Sequence, residues 1–444
     1  MAGAMSWVAR LPFFYGWLII AIAFLTMAIS VTARTSFSLL LSPLMSEFGW
    51  ERGLVAGAFS AGFLFSAVTS PLVGQLMDRY GPRVIIQAGV LMLSGGLLLA
   101  PLLSTPWQLY ATLGVMAGGG ANLMSFTAQS LYLPNWFVRR RAMAISIAFS
   151  GVGVGAIVIL PWLQAIIEQS GWRSACQTLA FMVIVIVAPL NLLVRHRPQS
   201  IGLLPDGDTE PVVGAGPAQP RRSNIVDPAW AAIDWTLSRA IRTRRFWWVV
   251  IGYFTALFAW YAIQVHQTTY LIEIGYSPLR AAWALGVVSM VGIPGQIVLG
   301  ALSDRIGREW IWSAGCLGFI ITYSALIALE HTQSETLLLL MIASQGFLGY
   351  AMTSVLGPIV MEIFDGPHFG SVFGMITVFL MAGGAAGPWA AGYLHDLTGS
   401  YRPAFIVAIV CCVISIVAIW LAAPRKVRCV AGQIGKAGGS GQTR

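Results

Sequence analysis

Charged residues are scarce in this chain. They make up 10% of its 444 residues, whereas 57% are hydrophobic, and the mean hydropathy is +0.76. A water-soluble domain of this length could not bury so much apolar side chain in one core, so the sequence indicates that lipid is its main solvent. The net charge of +9 is therefore attributed to the inner surface of a membrane and not to binding of nucleic acid.

The motifs of the common enzyme and cofactor-binding classes are missing as well. There is no Walker-type phosphate loop and no dinucleotide glycine fingerprint. The five cysteines and five histidines are scattered, with no disulfide framework, no metal-ligand spacing and no His pair at i, i+4. The sequence therefore predicts no enzyme, no cofactor and no metal site. No Ala-x-Ala cleavage site follows the first apolar run, so the first helix is expected to remain as an anchor.

Long apolar segments are what the chain does have. Each has about twenty residues or more, enough to cross a bilayer as an α-helix. Twelve are predicted, near residues 13–34, 53–77, 84–103, 107–133, 142–167, 174–194, 246–270, 280–302, 310–329, 336–361, 370–394 and 402–423. Most of the 26 Lys and Arg residues face the cytoplasm if both termini are inside, which predicts that orientation in a bacterial-type inner membrane.

One charged loop occurs twice. The first copy contains Gly74, Asp78, Arg79, Gly81 and Arg83, and the second, which begins 226 residues later, contains Gly300, Asp304, Arg305, Gly307 and Arg308. The helix dipole disfavours an Asp at a helix C-terminus by about 0.3–1 kcal/mol, so each Asp is expected to have a partner outside its helix. Such a contact can form in one conformation and break in another, and the loops are predicted to be a conformational latch. The alternative is that their charges are simply solvated.

The duplication extends beyond this loop. Glu47-Phe-Gly-Trp50 recurs as Glu273-Ile-Gly-Tyr276, Trp172-Arg173 as Tyr401-Arg402, and Gly151 and Gly155 as Gly383 and Gly387. The predicted fold is all-α, with twelve transmembrane helices in two pseudo-symmetric six-helix bundles, residues 1–194 and 246–424. Residues 195–245 are predicted to be a cytoplasmic linker with a short interfacial helix, and residues 425–444 a disordered cytoplasmic tail.

These residues resemble those of a known family. The two loops are similar to the signature of the major facilitator superfamily, whose members alternate access between two six-helix bundles. Four further segments, near residues 15–17, 34–50, 135–151 and 197–208, resemble its monocarboxylate porter and oxalate/formate exchanger branch. The resemblance implies a secondary transporter whose cavity is lined mainly by helices 1, 4, 7 and 10.

Two ionisable residues occupy pseudo-symmetric places in predicted helices 1 and 7. They are Arg34 and His266, 232 residues apart. A charge at the membrane centre costs roughly 2.5–3.5 kcal/mol, so such a residue usually faces a cavity or a partner. We expect Arg34 to bind a carboxylate and His266 to bind substrate or carry a coupling proton. The alternatives are an Arg34 that reaches the outer interface and a His266 that is hydrogen-bonded among packed helices.

Uncharged polar residues extend this candidate substrate site. Asn122, Ser125 and Gln129 recur at i, i+3 and i+7, so they are predicted to share one face of helix 4. Tyr132 follows on the same helix, and Tyr350 belongs to helix 10. We expect this polar face to line the substrate cavity, although contact with a neighbouring helix would explain the pattern too.

Helix 8 departs from the pattern of the resembled branch. Those relatives usually carry an acid and an Arg where this chain has Gly292 and Gln296, and helix 11 lacks the lysine of the exchangers. A dicarboxylate held between two cations is therefore not expected, and Gln296 becomes a candidate substrate contact. The predicted function is secondary active transport of a small monocarboxylate-like anion by a monomer, through alternating access and symport with protons. Transport of a neutral or aromatic metabolite without proton coupling, and a non-transporting membrane sensor, are the alternatives.

Overall fold

A computed structural model describes residues 13–125, 128–129, 132–137, 141–204, 225–366, 368–430 and 433. Within these ranges the chain is helical, and the only β-structure among them is an isolated bridge between Ile225 and Arg428. The middle of the predicted linker, residues 205–224, and the end of the predicted tail, residues 434–444, lie outside the described residues.

The α-helices are numbered here in chain order. In the N-terminal half they are α1 Tyr15–Thr35, α2 Phe37–Phe48, α3 Arg52–Tyr80, α4 Pro82–Leu99, α5 Pro106–Leu109, α6 Gly119–Met124, α7 Arg141–Met182 and α8 Ala188–Asn191. The rest are α9 Pro228–Ala231, α10 Leu237–Ala240, α11 Arg244–Glu273, α12 Pro278–Ile306, α13 Arg308–Leu329, α14 Glu335–Ala343, α15 Met352–Phe364, α16 Phe369–Thr398 and α17 Arg402–Ala422.

Ten helical stretches of the described chain are long and apolar enough to cross a membrane. One of them, Ile147–Asn191, has 45 residues and covers two predicted spans, with a non-helical residue at Gly171. The predicted span 107–133 is not among the ten, because it includes residues outside the described ranges. The ten stretches thus correspond to eleven of the twelve predicted spans.

The chain divides into two compact units. The first comprises Met1–Trp50 and Ala61–Gly216, and the second comprises Glu51–Ser60 and Pro217–Arg444. Helix α3 is therefore shared, because its residues up to Ser60 belong with the C-terminal helices and the remainder with the N-terminal helices. The sequence repeat alone does not predict this assignment of residues 51–60.

The same helix pair packs closely in each unit. In the first, a Cβ added at Gly151 on α7 would collide with the backbone carbonyl of Phe24 on α1. In the second, a Cβ at Gly383 on α16 would collide with the carbonyl of Phe254 on α11. The contact repeats further along each helix, at Gly155 against Ala28 and at Gly387 against Phe258. Only glycine permits this backbone approach, as is common where membrane helices pack.

The fourth and tenth predicted membrane spans, near residues 107–133 and 336–361, are not regular α-helices. Each contains a π-helical segment, Tyr110–Gly118 in the first unit and Ser344–Leu348 in the second. Such segments are often found at functional sites, because the extra residue locally changes which side chains share a face. The two positions correspond in the repeat, since 232 residues separate Tyr110 from Ile342, close to Ser344.

The linker contains two short helices in place of the single interfacial helix that was expected. α9 and α10 have four residues each, and the intervening Trp235 is buried against Phe364 with a ring-centroid distance of 5.2 Å. Trp230 donates from Nε1 to the carbonyl of Ile363 at 2.8 Å. Indole rings at a helix end bury their apolar faces and satisfy their N–H groups, so this part of the linker is packed within the second unit.

Candidate functional site

The two repeated loops have the same backbone geometry at their central glycine. Gly81 has φ +81° and Gly307 has φ +115°, and the next helix begins at the following residue in both cases. This left-handed region is readily adopted only by glycine. The tight reversal between the flanking helices therefore explains why a glycine occurs in both copies.

Arg308 organises the second loop. Its guanidinium donates from Nε to Oε1 of Glu362 at 3.0 Å and from Nη2 to Oδ1 of Asp304 at 2.5 Å. The hydroxyl of Ser303 accepts a further bond from Nη1. Asp304 therefore has the external partner that the helix dipole predicts. Glu362 was not among the predicted residues of this loop, although it is an acid near the end of the apolar helix α15.

The first loop is described less completely. Gly74 and Asp78 lie on α3, but the side chain of Asp78 is outside the described part of the structure, so its partner stays a prediction. The Arg83 guanidinium donates to the carbonyl of Leu192, and the Asn191 amide donates to the backbone carbonyl of Arg83 at 2.8 Å. Arg79 is exposed and lies over the ring of Tyr80. The start of α4 is thus joined to the end of α8 within the first unit.

Replacing Arg308 with glutamine is expected to reduce transport by about tenfold or more and to lower the thermal midpoint. It leaves Glu362, whose side chain is 12% exposed, without its cation, and a buried unsatisfied charged group costs at least about 1–3 kcal/mol. Flux into proteoliposomes and the melting curve measure both effects. Arg280→Gln is the control, because it removes an arginine of an exposed ion pair outside the loop, that with Glu335, and should stay near wild type. Equal losses in the two variants would contradict a latch centred on Arg308.

Arg34 lies inside a long helical stretch and not at its end. α1 and α2 form one candidate span of 34 residues, Tyr15–Phe48, in which fourteen residues follow Arg34. The whole stretch extends about 51 Å at 1.5 Å per residue, more than the ~30 Å hydrocarbon core of a bilayer, so part of it lies outside the hydrocarbon. The half-buried Arg34 guanidinium lies over the Phe63 ring, 5.2 Å from its centroid, an orientation that aromatic faces favour for cations.

The predicted polar face of helix 4 is interrupted. α6 ends at Met124, and Ser125 has extended backbone angles, so Asn122 and Gln129 cannot share a continuous helical face. The buried Gln129 amide donates to the Met124 carbonyl at 3.0 Å, and the Tyr132 hydroxyl donates to Gln129 Oε1. These two residues therefore stabilise the broken helix end. The expectation of a shared i, i+3, i+7 face was wrong, because periodicity assumes an unbroken helix.

His266 is fully buried in the second unit and has partners for both ring nitrogens. Nε2 is 2.9 Å from the carbonyl of Pro388, and Nδ1 is 2.8 Å from the hydroxyl of Tyr401. A carbonyl can only accept, so Nε2 carries a hydrogen, and a neutral imidazole then accepts from Tyr401 at Nδ1. Burial raises the pKa of Tyr401 above its ordinary value, which keeps its proton available for this bond. Tyr401 in turn accepts from Arg52 Nη1 at 3.1 Å.

Tyr350 is buried in an aromatic cluster of the second unit. Its ring lies 4.6 Å from that of Trp260, its hydroxyl is 3.3 Å from Ser289 Oγ, and a Cβ at Gly292 would meet the ring. Trp260 donates from Nε1 to Gln264 Oε1 at 2.9 Å. Trp260 and Gln264 were missed in the sequence, although they are spaced i, i+4 on one helix face. Gln296 is half-buried on α12, four residues after Gly292.

Comparison with known proteins identifies the family. The profile described as Major Facilitator Superfamily matches residues 23–358 and 295–438. The chain belongs to the major facilitator superfamily. Its fold is therefore the all-α transporter fold of two six-helix bundles that the duplication predicted, and its general activity is membrane transport.

Individual relatives of this superfamily member are named as members of the branch that its motifs resemble. Monocarboxylate transporter 13 of Rattus norvegicus is 26% identical over 402 residues, which cover 89% of this chain and 86% of that protein. Monocarboxylate transporter 2 of Homo sapiens is 23% identical, with coverages of 87% and 81%. The resemblance to monocarboxylate porters is thus confirmed.

Two solved structures share the fold. A bacterial homolog of the human lysosomal transporter Spinster, in an inward-facing and occupied conformation, gives a TM-score of 0.68 at 18% identity, covering 92% of this chain and 97% of that one. The nucleoside transporter NupG gives a TM-score of 0.70 at 11% identity, with coverages of 91% and 100%. At these identities the similarity concerns architecture alone.

Proposed function

We propose that this superfamily member is a secondary active transporter of a small monocarboxylate. The observation that carries the proposal is the position of Arg34, a cation in the interior of an apolar helical stretch. A guanidinium in such a place presents a planar fork of donors that matches a carboxylate. Relatives that are named monocarboxylate transporters along most of their length support the same class of substrate.

We propose that the substrate carries no more than one negative charge. α12 has no charged side chain between Arg280 and Asp304, and Gly292 and Gln296 stand where the family resemblance implies an acid and an arginine. A second carboxylate would be desolvated there without a counter-ion, which is costly. Gln296 is proposed to donate or accept a hydrogen bond from a neutral part of the substrate.

We propose that the aromatic cluster of the second unit favours a flat apolar substituent on the substrate. The rings of Trp260 and Tyr350 lie 4.6 Å apart, and aromatic rings stack on planar groups. The same observation favours a second candidate function, transport of a neutral aromatic metabolite. The buried Oε1 atoms of Gln267 and Gln345, which have no partner among the described residues, would suit hydrogen-bond donors of that solute.

Symport with protons is proposed as the coupling mode, with His266 as the candidate carrier. Its bond to Tyr401 must reverse direction when Nδ1 gains a proton, because both partners would then donate. The protein is also proposed to act as a monomer in a bacterial-type inner membrane, with both termini cytoplasmic. The excess of Arg in the repeated loops and around α9 and α10 supports that orientation.

The purified protein in proteoliposomes would test these proposals. Uptake of acetate, lactate, benzoate, benzamide and oxalate is measured with and without an imposed pH gradient. Uptake of a monocarboxylate that rises with an inward proton gradient is the expected result, with oxalate at background. Benzamide uptake without a pH effect would support the neutral-solute function instead. Tight binding of any probe without flux would identify a sensor and reject transport.

A further inference from the structure

The acid that ends the first helix of each repeat has a different partner in the two units. In the first unit, Glu47 forms a bidentate ion pair with Arg173, at 2.5 and 2.8 Å, and accepts a bond from Trp172 Nε1 at 2.7 Å. The repeat equates Glu47 with Glu273, Trp172 with Tyr401 and Arg173 with Arg402. If the copies were equivalent, Glu273 would therefore pair with Arg402.

The second unit has another arrangement. Glu273 forms its ion pair with Arg52, from the start of α3. Arg402 is exposed and has no ion pair among the residues that the structure describes. Tyr401 bonds to Arg52 and His266 in place of the repeated acid. Glu273 has thus exchanged the partner that its own repeat supplies for one from residues 51–60.

Arg52 is an addition to the repeat. The residue 226 positions later is Pro278, which carries no charge, so the repeat has no cation at the corresponding position. The bonds to Arg52 continue at its backbone, because Asp396 accepts from the amides of Arg52 at 3.1 Å and of Gly53 at 2.7 Å. A carboxylate on the free amides at a helix N-terminus is a favourable contact. The first turn of α3 is therefore held by Glu273, Asp396 and Tyr401 together.

We propose that Glu273 is a two-position switch that fastens and releases the start of α3 during transport. In the described position it pairs with Arg52. In the second position it pairs with Arg402, as Glu47 pairs with Arg173, and the first turn of α3 separates from Asp396 and Tyr401. The proposal rests on alternating access, the transport mode of the proposed function. It concerns the gate and not the substrate.

The exchange of cations explains how this contact can open. Removing Arg52 alone would leave Glu273 without a counter-ion, and an uncompensated partly buried charge opposes opening. Arg402 supplies a replacement charge, so the two positions differ little in free energy, as a transporter that visits both states requires. His266 holds Tyr401 in place through its bond to the hydroxyl, so Arg52 finds its second partner in a fixed orientation.

Opposite effects of two arginine substitutions test the switch. Arg52→Gln removes the described partner and favours the released position, whereas Arg402→Gln removes the other partner and favours the fastened one. The measurement is hydrogen–deuterium exchange of the amides of residues 51–60, with the full chain in lipid nanodiscs. Exposed ion pairs contribute about 0–1 kcal/mol each, so Arg402→Gln is expected to slow exchange by about two- to fivefold. Arg52→Gln should accelerate it by about tenfold, because the side-chain contacts of Arg52 with Glu273 and Tyr401 are lost together.

Matched variants complete the design. Arg280→Gln breaks the exposed pair of Arg280 with Glu335 and should leave this exchange unchanged. The double variant Arg52→Gln/Arg402→Gln should lie between the two single variants. The exposed Arg402 is the decisive position, since its substitution leaves the described contacts intact. If Arg402→Gln matched Arg280→Gln, Glu273 would have no second partner and the switch would be rejected. The readout needs no substrate, so failure of monocarboxylate uptake would leave it unaffected.

Discussion

Uptake of a monocarboxylate by the Arg34→Gln variant is expected to fall by about 10- to 100-fold, because a hydrogen bond to a charged group contributes about 1.5–3 kcal/mol. Glutamine keeps polar atoms at this place on α1 but removes the charge and the planar fork of donors. The loss should occur at subsaturating substrate and be accompanied by weaker binding, since the guanidinium contacts the carboxylate directly. Initial rates in proteoliposomes over a range of substrate concentrations measure both quantities.

Arg34→Lys separates charge from geometry. A lysine retains the positive charge as a point donor and should recover part of the lost uptake, but not all of it, because it cannot bind a carboxylate bidentately. Arg280→Gln serves again as a control, since it removes one exposed positive charge elsewhere. Unchanged uptake in Arg34→Gln would exclude Arg34 from anion binding and would leave the neutral-solute function as the better proposal.

Substitution of Gly383 by alanine is expected to destabilise the protein by about 1–3 kcal/mol, the usual cost of overpacking a closely packed interface. The new methyl group would collide with the Phe254 carbonyl on α11, and a backbone atom cannot move aside as a flexible side chain can. A fall of several degrees in the melting midpoint of the detergent-solubilised protein, with aggregation on size-exclusion chromatography, is the expected readout.

The same helix supplies the matched control. A Cβ at Gly374 on α16 would have no other atom within 4 Å, so Gly374→Ala should be neutral or slightly stabilising, because alanine favours a helix more than glycine does. Gly151→Ala should reproduce the loss in the first unit, where the Phe24 carbonyl occupies the corresponding place. A stable Gly383→Ala protein would mean that the two helices can separate without penalty.

Most of the fold could be predicted from the sequence repeat, because the glycine pairs and the charged loops are local features that occur twice. Gly151 and Gly383 mark the same helix contact, and Gly81 and Gly307 the same turn. Hydropathy located the spans because a bilayer imposes length and composition on every crossing helix. These constraints act on individual segments, so a single sequence was enough to recognise them.

The candidate site was harder to predict because it depends on contacts between distant segments. The break in the helix at Ser125 is not marked by a proline or another local signal. The freed carbonyl of Met124 accepts a hydrogen bond from the side chain of Gln129. Arg52 finds Glu273 and Asp396 more than two hundred residues later, and its pairing departs from the repeat. A prediction based on symmetry therefore favours Arg402 as the partner of Glu273.

Single-cysteine labelling along the tenth predicted span, from α14 to α15, would show the effect of its π-helical segment directly. Reactivity toward a water-soluble maleimide should rise and fall every three to four positions in α14, following the turn of an α-helix. Across Ser344–Leu348 the hydrogen bonds span one additional residue, and in the 3-10 turn Gly349–Ala351 they span one fewer, so the spacing of the maxima should change within these residues and largely return to the α-helical rhythm in α15. A regular helical-wheel projection drawn through the whole helix would therefore misplace the residues of this irregular part, Tyr350 among them.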